Sequence, residues 1–224
     1  MMSVAIDGAC RRNGKPDCLA AGGVFIFHHT NTNGKKTESF ADYEMNSTNQ
    51  RGELLALKRT LLCIREDPQQ VQVITDSEYL FNSMTKSWVK SWMNKGWLTS
   101  AGDPVKNRDL WESIYKLSVD CDDAGAEVLY YHIKGHCMPF GKVTASQLLA
   151  KDNSAALLYN TMIKKYEEVT NTGSCLSNLG YARNLSKNNN GFVPDDEILK
   201  KFVVYNSVAD AIATFCVEAA DKMI

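Results

Sequence analysis

Three carboxylates stand where one chain periodicity gives way to another. Asp7 closes the run SVAID, Asp76 follows VQVIT, and Glu53 lies in the first turns of a leucine-periodic segment that begins at Asn49. Acids brought together repel one another unless cations hold them. Hard oxygen donors with no accompanying Cys or His pair suit Mg²⁺, with Mn²⁺ as a substitute. Two such ions roughly 3.5–4 Å apart suit in-line hydrolysis of a phosphodiester. Taken singly, each acid has a simpler reading. Thr75-Asp76-Ser77-Glu78 is a capping-box pattern, Asp7-Gly8 is a turn dipeptide, and Glu53 is an acid near a helix start. Only their joint placement points to chemistry.

The elements that must position them follow from the apolar patterning. SVAID, GGVFIFHH (Gly22–His29) and KTESFADYEM read as three strands, with Asn33-Gly34 as a hairpin signal between the last two. Leu54, Leu57, Leu61 and Ile64 then recur at helical spacing, with Asn49 as the expected N-cap. VQVIT is a fourth strand followed by a helix from about Ser77. VKNRDLWESIYKL reads as a helix, AEVLYYHI as a fifth strand, and Thr144–Glu168 as a long helix. Hairpins followed by strands alternating with helices predict an α/β fold with a mixed sheet. If the first and fourth strands lie parallel, Asp7 and Asp76 emerge at one carboxyl edge, where open α/β sheets bind ligands.

Composition narrows the class. The 224 residues are 44% hydrophobic and 23% charged with a formal charge of −1, which fits a soluble globular chain and excludes a histone-like polycation. Seven scattered cysteines with no CxxC pair argue against a disulfide framework or zinc module, and the expected location is intracellular, cytoplasmic or nuclear. No signal peptide is readable and no membrane association is expected.

In AIDGAC with Asn13, STNQRGELLAL, VITDSEYL, the tryptophan-rich run into KGWLTSAGDPVKNRDLW, and YYHIKGH, the chain resembles the type 1 ribonuclease H family. These strings keep the family's order over about Ser3 to Tyr159. The resemblance implies a ribonuclease H-like fold, a five-stranded mixed sheet flanked by helices. It also implies hydrolysis of the RNA strand of RNA–DNA hybrids with two Mg²⁺ ions, leaving 5′-phosphate and 3′-hydroxyl ends. Asp7, Glu53 and Asp76 match the first three metal-binding carboxylates, and His136 matches a mobile-loop histidine that assists proton transfer or product release. The family places its fourth carboxylate shortly after that histidine, opening a helix with a DxLA-like pattern. Here Asp152, sixteen residues after His136 in DNSAALL, takes that role, and the longer interval departs from the pattern.

All four tryptophans fall within Met84–Lys116, a window carrying a net charge of +3. Lysines there can neutralise phosphates and aromatic faces can pack on sugar or base. The resemblance marks this window as a basic protrusion that grips the DNA strand, with Trp88, Trp92, Lys95 and Trp97 as contacts. Trp88 and Trp92 are also four apart, so core packing is the competing reading. Asn13, Asn49 and Gln50 match positions that read the hybrid's minor groove, where amides can meet 2′-hydroxyls as donor or acceptor.

Residues 1–168 are thus expected to form the catalytic domain, 169–193 a linker or long loop, and 194–224 a helical C-terminal extension. Two helices are expected in the extension, burying Ile198, Phe202 and Tyr205, then Val208, Ile212 and Phe215. Either they pack on the domain or they serve self-association or a protein partner. Two rivals stay open: a non-catalytic hybrid-binding module with a degraded fourth position, and a DNA nuclease of the same superfold.

Overall fold

The computed structural model describes residues 1–29, 36–135, 155–170, 187–188 and 194–223. The Asn33-Gly34 turn lies outside them. Strands β1 (Met2–Arg11), β2 (Leu19–His28) and β3 (Lys36–Met45) form the antiparallel meander. Helix α1 (Asn49–Glu66) follows, then β4 (Gln70–Thr75), α2 (Glu78–Thr85), α3 (Trp88–Asn94), α4 (Arg108–Asp123) and β5 (Glu127–His132). Helix α5 (Ala155–Thr170), a two-residue strand β6 (Lys187–Asn188) and helix α6 (Asp196–Asp221) complete the described elements. The sheet order is β3-β2-β1-β4-β5-β6. Strands β1, β4 and β5 are parallel, which sets Asp7 and Asp76 at one carboxyl edge as expected. The five expected strands are present, and β6 adds a short antiparallel pairing to Tyr131 and His132.

Alternation along the central strands divides the core in two. Val4, Ile6, Val24 and Ile26 face Leu54, Leu57, Leu61 and Trp111 of α1 and α4. Ala5, Phe25, Ile74 and Tyr131 face the opposite layer, which α5 and α6 supply through Leu158, Tyr159, Phe202, Tyr205 and Val208. Each such apolar side chain, fully buried, contributes about 1.5–3 kcal/mol before the entropy of ordering it.

Two adjacent glycines let both layers approach. A Cβ on Gly22 would lie 2.3 Å from the Gly52 carbonyl oxygen of α1. One on Gly23, facing the other way, would lie 2.2 Å from the Ala209 oxygen of α6. The pair therefore lets helices close onto both faces of β2 at one level of the sheet.

The C-terminal segment corrects the expectation of two helices. It is one helix of 26 residues, capped by Asp195, whose side chain accepts from the Ile198 N–H. The polar pair Asn206-Ser207 does not break it. Ser207 donates its hydroxyl to the Val203 carbonyl at 2.9 Å, and Asn206 turns its amide toward the sheet. By length and composition α6 could cross a membrane, but most of that stretch is buried inside the protein. The helix packs on β1 and β2 through Phe202, Tyr205, Val208 and Ile212, four of the residues expected to be buried.

Two further expectations are corrected. Thr48, not Asn49, caps α1, because its extended backbone lets the side chain accept from Arg51 N–H; Asn49 becomes the first helical residue. Cys10 and Cys18 form a disulfide across the end of the β1–β2 hairpin, whereas Cys63, Cys121 and Cys216 are free. Pairing in the sheet brought together two cysteines that spacing alone did not mark.

Candidate active site

Asp7 sits near the end of the buried part of β1, in register with Gly23. It is 7% exposed. One carboxylate oxygen accepts from the Gly8 N–H at 2.7 Å and the other from the Asn206 side-chain amide at 3.3 Å. Burial, then the charges of Asp76 and Asp210, push its carboxyl well above the ordinary carboxylate range.

Glu53 approaches from the opposite face. A Cβ on Gly8 would lie 2.7 Å from its Cγ, so glycine at that position lets α1 come this close. Its Oε1 accepts from the Asn49 amide at 3.1 Å and its Oε2 from the Ser77 hydroxyl. Burial first, and also the charge of Asp76, push it up to about 7, against the lowering pull of the Ser77 and Asn49 hydrogen bonds. Asp76 itself leads out of β4. Its backbone carbonyl lies 3.2 Å from His132 Nε2. Gly135 of the IKGH motif lies against its carboxylate, where a Cβ would come within 2.0 Å of Oδ2. Ser77, rather than Asp76, is the cap of α2, accepting from the Leu80 N–H. Asp76 lines the cleft.

The residue that sequence reasoning missed is Asp210. With Asp7, Glu53, Asp76, Asn49 and Glu218 it lines one cleft of about 510 Å³ at the carboxyl edge. It comes from α6, whose seat against Gly23 is formed by Ala209 and Ala213 on either side of it. A sequence signal exists: Asp210-Ala211-Ile212-Ala213 fits a DxLA-like pattern better than DNSAALL does. It stands 74 residues after His136, far outside the short interval that the family pattern sets. His136 and Asp152 both lie outside the described residues.

The donor set is all oxygen and suits a hard divalent cation. Raised affinity for protons at Asp7 and Glu53 is what uncompensated, half-dehydrated acids show. Among the described residues, however, no three of the acids converge on one point as ligands of a single ion.

The other expected contacts divide. Asn49 lines the cleft, while Gln50 and Asn13 are exposed and outside its lining, Asn13 in the β1–β2 turn. Trp88 is 36% exposed and Lys95 is exposed, so both remain available to a ligand. Trp92 is half-buried, its ring 5.8 Å from that of Trp111 and 6.4 Å from that of Tyr79. Trp97 is 8% exposed and packs in the core, with the Arg108 guanidinium over its ring. Its expected role as a substrate contact is corrected to packing. Leu98 and Thr99, beside it, stay at the surface and edge the groove formed with Trp88 and Trp92.

Residues 1–154 match the family model described as RNase H. A ribonuclease H of Chlorobaculum parvum is 33% identical over 135 residues, covering 60% of this chain and 83% of that protein. One from Thermus thermophilus is 37% identical over 130 residues, covering 58% and 70%. Among solved structures, LC9-RNase H1, a type 1 RNase H with the type 2 active-site motif, superposes with a TM-score of 0.53 at 23% identity. The match covers 61% of this chain and 64% of that one. At that identity the likeness is one of fold.

Proposed function

The chain belongs to the ribonuclease H family and is a hydrolase of that family; from that premise we propose that it cleaves the RNA strand of RNA–DNA hybrids endonucleolytically, leaving 5′-phosphate and 3′-hydroxyl ends. The observation that carries this reading is the convergence of Asp7, Glu53, Asp76 and Asp210 on one cleft, from β1, α1, the β4–α2 junction and α6. We assign Asp210 the fourth carboxylate position, in place of Asp152. Its charge is among the causes that raise the Asp7 carboxyl.

These four side chains would hold divalent cations, Mg²⁺ or Mn²⁺. When bound as a pair, such ions supply the Lewis acidity that activates water and stabilises the leaving 3′-oxygen. The remaining work belongs to the chain's own groups. Asn206 and the Gly8 N–H fix the two Asp7 oxygens, and Asn49 and Ser77 fix those of Glu53, so neither carboxylate has to reorganise as charge develops. His136 follows Gly135, which touches Asp76, and is placed by sequence to move a proton at the departing product. Asn13, Asn49 and Gln50 are assigned to the 2′-hydroxyls of the RNA strand, and Trp88 and Lys95, with Trp92 behind them, to the backbone of the DNA strand.

The test is incubation with end-labelled hybrid and Mg²⁺, with Asp76→Asn as control. Metal-dependent cleavage of the RNA strand that vanishes in the variant is expected. Binding without cleavage, or preference for duplex DNA, would overturn it.

A further inference from the structure

The cleft holds a charge that its metal chemistry does not use. Besides Asp7, Glu53, Asp76, Asp210 and Glu218, its described lining includes one cationic residue, Arg11. Arg11 ends β1, and Arg12 opens the turn in the left-handed region at φ +59°. Both guanidiniums converge on Asp221 at the C-terminal end of α6. Arg11 Nη1 pairs with Oδ2, and Arg12 Nη2 lies 3.3 Å from Oδ1. The two arginine side chains are about half exposed, 54% and 50%, and Asp221 is 20% exposed. Two guanidiniums against one carboxylate leave an uncompensated positive charge and several N–H donors facing solvent. Ion pairs this exposed contribute little to stability, so folding alone accounts poorly for two arginines here.

The proposed substrate is a polyanion that must enter a cleft edged by five acids. A guanidinium fork matches phosphate oxygens in two parallel hydrogen bonds, and it stays charged at any working pH. We infer that Arg11 and Arg12 form a phosphate-binding pair that grips the nucleic-acid backbone beside the catalytic carboxylates, with Asp221 as the counterion that the phosphate displaces. The inference rests on the hybrid-hydrolase reading for its ligand and adds a contact point separate from the tryptophan–lysine protrusion. The disulfide from Cys10 to Cys18 and the anchorage of β1 in the sheet hold the pair's backbone in place.

The test is the salt dependence of hybrid binding by the full chain, with Asp76→Asn as the parent to block cleavage. Fluorescence anisotropy of a labelled RNA–DNA hybrid between 50 and 200 mM salt gives the slope. Removing one guanidinium that neutralises a phosphate should reduce the slope by about 0.9. Over that interval the parent's affinity should therefore fall about tenfold more than that of Arg11→Ala/Arg12→Ala. The Arg11→Lys/Arg12→Lys variant should keep the slope, and Asp221→Asn should bind at least as tightly as the parent. An unchanged slope in the double alanine variant would overturn the inference. So would a loss of affinity in Asp221→Asn matching that of the double variant, since the cluster would then be only a staple between turn and helix. Should the double variant not fold, Arg12→Gln alone retains the Arg11–Asp221 pair and should lower the slope by about 0.9; no change would count against the inference. Cleavage by the unaltered chain is scored separately. Its absence removes the hydrolase reading and leaves the phosphate pair to stand or fall on the slopes.

Discussion

Asp7 and Glu53 are acids buried at the sheet edge, and their protonation is tied to folding. Glu53 goes from an ordinary carboxyl of 4.5 to about 7 on folding. Below pH 4.5 both states hold the proton and nothing is lost. Between 4.5 and 7 the unfolded chain releases it first, so the contribution declines as pH rises and levels off above the folded value. In metal-free buffer, Glu53→Gln should therefore be more stable than the unaltered protein at pH 8, by on the order of 1–3 kcal/mol, and equal to it near pH 4. Denaturant melts at the two pH values check this; equal differences at both would contradict it. Adding Mg²⁺ at pH 8 should narrow the gap by stabilising only the unaltered protein. At this scale three of the four acids assigned to the metal site were legible, because Asp7, Glu53 and Asp76 mark changes of periodicity. Asp210 was not. It sits inside a long helix 74 residues after His136, where its DxLA-like pattern falls far outside the interval that the family sets.

Elements decide how closely these residues approach. Gly22 and Gly23 are consecutive, so they face opposite layers, and each contacts the backbone of a helix that carries a cleft acid. Gly23→Ala should lift α6, costing about 1–3 kcal/mol as an overpacking change and weakening Mg²⁺ affinity through Asp210. Melts and calorimetric metal titration check both, and an unperturbed affinity would contradict the coupling. The protrusion separates in the same way. Trp97→Ala removes a core side chain and should cost about 3–5 kcal/mol. Trp88→Ala should leave melting nearly unchanged while raising KM for hybrid. The order of the first five strands and of α1 and α4 was readable from periodicity alone, whereas the break between α2 and α3 was not. Less readable was which tryptophans turn inward, since all four share one charged window; packing buries Trp97 and Trp111 and leaves Trp88 at the surface.

Across the whole molecule, α6 is part of the core. Phe202, Val204, Tyr205 and Val208 are all at most 2% exposed and cover the face of β1 and β2 opposite α1. A chain ended after Glu168 should therefore fail to give a folded domain, seen as aggregation or loss of a cooperative melt. A soluble, active truncation would contradict this. The sequence suggested a domain followed by an extension because the recognisable motifs stop near Tyr159 and the composition then turns to Asn, Ser and Gly. Chain order hid the fact that the last helix returns to the first strand. It returns carrying Asn206 to Asp7 and Asp210 to the cleft. The most direct measurement compares Asp210→Asn and Asp152→Asn for Mg²⁺-dependent cleavage of the RNA strand of a labelled hybrid, with folding verified by melting. Asp210→Asn should lose at least about a hundredfold in rate, on the scale of removing one preorganised electrostatic group, while Asp152→Asn stays near the unaltered rate. Full activity in Asp210→Asn, with loss in Asp152→Asn, would contradict the assignment of α6 to the active site.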